Sequence, residues 1–197
     1  MSTKRLFLGV RLPQNVMDLL ATVQQAAGTR DTEHALRWVR PENLHVTLHF
    51  LGDTDEEIIP EVVAAMDTAV GAVSPARTTL GRAGTFPSAR RPRVLWVGVQ
   101  DETGVLAGVH RALSDPLLEL GFELDSRPYH QHITVGYARK RARRAAVVRA
   151  FTGFLAAAQE ELTEPLPEIP VQKVDLVESR LSSRGPTYTT IAETRLS

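Results

Sequence analysis

Short runs in which polar and apolar residues alternate recur along the whole chain, often as adjacent pairs, and this spacing most limits the fold. A period of two marks a half-buried strand. Such runs cover residues 5–11, 36–39, 44–51, 77–85, 93–99, 130–138, 171–181 and 187–194. Helical stripes lie between them. Val16, Leu19, Leu20 and Val23 recur at helical spacing, as do Ile58, Ile59, Val62, Val63 and Met66 behind an acidic helix start at 53–55. Thr103 can cap a helix that runs to Leu120 and stops at Gly121, and 143–158 is a further Ala-rich helix. Ser182, Ser183, Arg184, Gly185 and Pro186 form a turn between the last two runs, which predicts a terminal hairpin. In a doubly wound parallel sheet a helix separates each strand from the next, whereas here strands often follow one another through short turns. The expectation is an α+β fold with largely antiparallel sheets.

Composition narrows the function classes. The 197 residues, 43% of them hydrophobic, suit one domain or two small lobes that share an interface. With no cysteine there is no disulfide framework, thiolate zinc site or cysteine nucleophile. That fits a reducing cytoplasm, the expected location. The apolar run at 6–10 is too short for a secretory signal, and no segment approaches bilayer-spanning length. Lys+Arg and Asp+Glu number 23 each, so an anionic partner must be caught by a local cluster.

Two of the strand runs carry the chemistry. In His45-Val46-Thr47-Leu48-His49-Phe50, strict alternation puts Val46, Leu48 and Phe50 on the core face and His45, Thr47 and His49 on the other. In the run from His132, Ile133, Val135 and Tyr137 share one face, and His132, Thr134 and Gly136 the opposite one. One His-x-Thr carries little. Two of them, in the same apolar alternation and one in each half of the chain, suit two related half-units facing across a cleft. Paired histidines serve attack on a phosphodiester: one imidazole deprotonates the nucleophile and the other protonates the leaving oxygen. A threonine hydroxyl beside each can donate to a phosphoryl oxygen.

Residues 43–52 (Asn-Leu-His-Val-Thr-Leu-His-Phe-Leu-Gly) resemble the first signature of the LigT-like two-histidine phosphoesterases, and 127–135 the second. The resemblance extends to 5–13, to Phe86-Pro87 with 92–99, to Gly121-Phe122 and to 185–188. It implies a single domain, 1–197, made of two pseudo-symmetric lobes. Each lobe would carry one His-x-Thr motif, with helices on the outer faces and the cleft between. It also implies opening of an RNA 2',3'-cyclic phosphate to a 2'-phosphate with no metal or other cofactor, and 2'-5' joining of RNA ends as the reverse chemistry. The implied partner is RNA with a cyclic phosphate end, tRNA fragments included, bound by a monomer. Carried over, His45 gives a proton to the departing 3' oxygen and His132 activates water; the residues by themselves leave those two roles open.

The pattern departs at Tyr137, where the family usually has an arginine, and at Gln131, where a proline is common. Arg139 is the candidate to stand in for the arginine. Thr47, Thr134, Arg139, Tyr137 and His49 are thus the candidate substrate contacts beside His45 and His132. His45 and His49 lie about 13 Å apart along a strand, too far to share a metal. The basic cluster of Arg139, Lys140, Arg141, Arg143 and Arg144 could guide an RNA backbone, with Arg82, Arg90, Arg91 and Arg93 as a second wall. Trp38 and Trp96 read as core, and packing is the expected role of Tyr129 and Phe86. Two other functions compete with this reading. One is a phosphodiesterase of small cyclic nucleotides or ADP-ribose derivatives, which cleft width would decide. The other is a non-catalytic RNA-end-binding module, which would not need paired proton-transfer groups.

Overall fold

The computed structural model describes residues 2–182 and 185–197. Its strands are β1 (Thr3–Arg11), β2 (Leu36–Trp38), β3 (His45–Asp55), β4 (Ala76–Ser88), β5 (Arg91–Gln100), β6 (His132–Ala138), β7 (Glu168–Val171), β8 (Lys173–Ser182) and β9 (Gly185–Arg195). Its helices are α1 (Gln14–Arg30), α2 (Ile59–Val70), α3 (Val105–Glu119) and α4 (Arg144–Glu161). The strands form one curled sheet in the order β7-β4-β5-β6-β3-β1-β8-β9, with β2 added to β6, and every pairing is antiparallel. The α+β, largely antiparallel expectation holds.

The two halves meet at β3 and β6, joined by the single pair Val46–Ile133. Outward from that junction, β3-β1-β8-β9 on one side mirrors β6-β5-β4-β7 on the other. The halves are interleaved in sequence: β1 belongs with β3, yet α1, which follows it, packs on α4 over the β4–β5 side. α2 and α3 pack together and cover the β3 and β8–β9 side. α1 makes that crossing because Val16, Leu20, Val23 and Ala27 form one buried stripe. Ala146, Ala150, Ala157 and Ala158 keep the facing surface of α4 small. Gln24, buried in the same stripe, donates from Nε2 to the carbonyls of Val39 (2.8 Å) and Val135 (2.9 Å), so no amide hydrogen is stranded.

Three local expectations are corrected. Residues 53–55 still belong to β3, and α2 follows a short 3-10 turn over Glu56–Ile58 that Asp55 caps. Asp101, not Thr103, caps α3: its carboxylate accepts from the N–H groups of Val105, Leu106 and Ala107, which suits the positive end of a helix. The run 171–181 is two strands, because β7 pairs with β4 while β8 pairs with β1 on the other half. The terminal hairpin forms as β8–β9; Ser183 and Arg184 of its expected turn lie outside the described residues.

Candidate active site

Strict alternation fails in both motifs, and at the same place. In the β1–β3 ladder Gly9 pairs with Thr47 and Leu8 with His49, which leaves Leu48 as an extra residue. In the β5–β6 ladder Trp96 pairs with Thr134 and Leu95 with Gly136, which leaves Val135 extra. Each is a β-bulge three residues after the histidine, and a bulge re-aims every side chain beyond it. Leu48 and Val135 stay in the core. His49 therefore turns inward (5% exposed) and Phe50 outward (67%). Likewise Gly136 faces Trp38 and Tyr137 reaches the open face.

This corrects His49 as a substrate contact on the cleft face. Its Nε2–H donates to the His110 carbonyl (2.8 Å), and its ring stacks on His110, which stacks in turn on Tyr129 (both 4.1 Å). Tyr129, from the loop before β6, donates its hydroxyl hydrogen to the Thr47 carbonyl (3.1 Å). The stack thus anchors the first motif's bulge. Phe50 is likewise corrected from core to surface, and Tyr137 from the apolar face to the open one.

The two motif histidines have matching surroundings. His45 donates its Nδ1–H to the Asn43 carbonyl (2.7 Å), and His132 does the same to the His130 carbonyl (2.6 Å). Both bonds run to the residue two positions back, and both fix the tautomer that leaves Nε2 bare. The Thr47 hydroxyl donates to the His45 Nε2 (3.0 Å). Antiparallel register through Val46–Ile133 sets His45 across from Thr134, and His132 across from Thr47. Each imidazole is walled by aromatic rings. Phe7 stacks on His45 at 4.6 Å and Tyr188 meets it edge-on at 5.3 Å; Phe86 meets His132 at 5.0 Å and Trp96 at 6.3 Å. Trp96 is thus a wall of the site rather than core.

Those walls keep both imidazoles neutral. Burial lowers His45 to about 4, aided by the nearby His132 and Arg11 and opposed by its bond to Asn43. Burial also lowers His132, against the pull of the His130 carbonyl. An anion between them reverses the shift, since a negative charge favours imidazolium. Beside His45 lies a cavity of about 270 Å³ whose lining includes Arg11, Arg40, Asn43, Thr187 and Tyr188.

The other candidates are dispersed. Arg139 donates its Nε–H to the Leu36 carbonyl (2.9 Å), tying the end of β6 to β2. Arg144 donates to the Arg90 carbonyl (3.1 Å), which brings the two predicted basic walls together at one end of the sheet. Among the described residues no group of three or more His, Asp or Glu side chains is placed to hold a metal ion. Sequence reasoning missed Phe7 and Tyr188 as walls of the site, although both fall in stretches that carry the resemblance, because their positions beside His45 come from pairing distant strands.

Burial also lowers His49, and it lowers His110 to about 4. A histidine whose folded value lies below its unfolded value of about 6.5 binds fewer protons folded than unfolded between the two. Stability is therefore full above that range and falls as pH drops from about 6.5 toward 4. Thermal midpoints measured across this window should decrease with acidification. His110→Phe keeps the stack without a titrating nitrogen and should reduce the fall; an unchanged slope would refute the assignment.

The comparisons with known proteins agree with this geometry. The sequence pattern described as LigT like Phosphoesterase matches residues 10–96. An RNA 2',3'-cyclic phosphodiesterase of Bacillus subtilis is 30% identical over 68% of this chain and 70% of its own. The protein of that name from Methanocaldococcus jannaschii is 28% identical over 96% and 99%. The crystal structure of TT0787 of Thermus thermophilus superposes with a TM-score of 0.74 at 26% identity, covering 97% of both chains. E. coli LigT complexed with 3'-AMP shares the fold, at a TM-score of 0.73 and 22% identity over 100% and 99%. These relatives identify the chain as a phosphodiesterase, built as an antiparallel sheet curled about its two His-x-Thr strands. The chain belongs to the LigT-like phosphoesterase family. Among the described residues no helix is long and apolar enough to cross a membrane.

Proposed function

We propose that this phosphodiesterase hydrolyses RNA 2',3'-cyclic phosphate ends to 2'-phosphates with His45 and His132 as its acid–base pair. The observation that carries the reading is the repeated tautomer lock: each Nδ1–H is held by the carbonyl two residues back, which leaves Nε2 as the working nitrogen. His132 takes a proton from water as its oxygen attacks phosphorus. His45, protonated once the anion is bound, delivers its proton to O3' as the O3'–P bond breaks. The products are a 2'-phosphate and a 3'-hydroxyl. Thr47 and Thr134 donate to the phosphoryl oxygens as charge grows there. A 5'-hydroxyl in place of water would give a 2'-5' linkage by the same steps. The RNA assignment is supported by the names of the relatives and by the basic end of the sheet. We propose that the chain acts as one domain with two lobes, monomeric and cytoplasmic, tRNA fragments being one source of its ends.

Two histidines and two threonines supply the proton transfer and charge stabilisation that a metal ion would otherwise provide. Activity should therefore survive exhaustive chelation. The test incubates protein in EDTA with cyclic-phosphate-ended RNAs and cyclic mononucleotides, resolving 2'- from 3'-phosphate products. Expected is a 2'-phosphate on RNA ends. Turnover lost in EDTA and restored by one divalent ion overturns the metal-free mechanism, and turnover of mononucleotides alone overturns the RNA assignment.

A further inference from the structure

The position five residues after His132 holds Tyr137, and the bulge at Val135 turns that side chain to the open face. Directly across the β2–β6 ladder from it stands Arg37. The Arg37 guanidinium carbon sits 5.2 Å from the Tyr137 ring centroid, so the cation is held over an aromatic face. In the antiparallel register through Val46–Ile133, β6 runs past the His45 end of β3 before it reaches Tyr137, so Arg37 lies on the His45 side of the cleft. Among the described residues it enters no ion pair, whereas Arg11, Arg30, Arg127 and Arg149 are each engaged by a carboxylate. An exposed guanidinium, oriented by a ring and left without an anion, is suited to an anion from outside.

Position selects which anion. The symmetric motifs place the reacting phosphorus near the Val46–Ile133 pair. Tyr137 lies three ladder steps along β6 from Ile133, about 10 Å. That separation sets Arg37 beside a neighbouring phosphate rather than the reacting one. We propose that Arg37, braced on Tyr137, grips the internucleotide phosphate next to the cyclic end, so that the site selects RNA strands over single nucleotides. The proposal rests on the RNA-end reading above.

The experiment titrates wild type, Arg37→Gln and Tyr137→Leu with a 2'-phosphate-ended dinucleotide and with the mononucleotide 2'-phosphate, over a range of salt. Arg37→Gln should weaken the dinucleotide about tenfold and flatten its salt dependence by about one phosphate contact. The mononucleotide should change by less than about twofold. Tyr137→Leu, which removes the brace and keeps the cation, should fall between wild type and Arg37→Gln. Equal weakening of both ligands would move Arg37 to the reacting phosphate and overturn the proposal, as would no change in either. The hydrolytic reading is judged separately. Wild type that binds the dinucleotide through Arg37 yet opens no cyclic end would sink that reading and leave the grip standing. Cyclic-end turnover with no preference for the dinucleotide would do the reverse.

Discussion

Replacing His45 or His132 by alanine should lower turnover by about two to four orders of magnitude in each case, the usual worth of a positioned acid or base. Folding should survive, because both imidazoles are only half-buried and lie outside the apolar core. Thr47→Ala and Thr134→Ala should cost less, since other donors can partly hold the phosphate. The rate should depend on pH as a bell with one limb for each histidine. In kcat/KM, which reports the free enzyme, the bell should be centred below the ordinary histidine value of about 6.5, because burial depresses both groups. In kcat it should move to higher pH, because the bound anion favours imidazolium. Retention of activity by either alanine variant would end the paired acid–base mechanism. A kcat bell displaced toward acid would contradict the account of how the walls and the anion oppose each other.

Gly9→Ala should impair both the fold and the site, although Gly9 takes no part in the chemistry. It pairs with Thr47 in the β1–β3 ladder. An added Cβ would lie 2.8 Å from the Val46 carbonyl oxygen, 3.4 Å from the Phe7 ring and 3.5 Å from the His45 ring. That oxygen is backbone at the residue joining the two halves, so it can retreat only if β3 shifts against β6. Overpacking of this kind costs about 1–3 kcal/mol. A shift of about 1 Å in the His45 strand can cost ~100-fold in rate. Denaturant unfolding and single-turnover kinetics check the two effects. Gly108→Ala is the reference, because a Cβ there meets nothing within 4 Å and the site lies within α3. If Gly9→Ala turned over as fast as Gly108→Ala, the close approach at Gly9 would not be what positions His45.

The sequence by itself determined the class of fold and the two strands that matter. Alternation of period two in 44–51 and 130–138 located β3 and β6, and the helical stripes located the four helices, because burial of one face imposes its period on the residues that supply it. The shared phase of His-x-Thr also assigns His45, Thr47, His132 and Thr134 to one face. What alternation could not register is a residue that leaves the ladder. Leu48 and Val135, the residues that leave the ladder, are themselves apolar and buried, so the alternation reads straight through both bulges. Yet they sent His49 inward to His110, turned Phe50 outward and carried Tyr137 to the cleft. Only the tertiary structure decided the aromatic walls as well. Phe7, Trp96 and Tyr188 reach the histidines through strands distant in sequence, and Arg37 finds Tyr137 across the β2–β6 ladder. A local period reports which face is dry; which distant side chains share the other face depends on strand order and register, and these are fixed only when the whole sheet closes around its core.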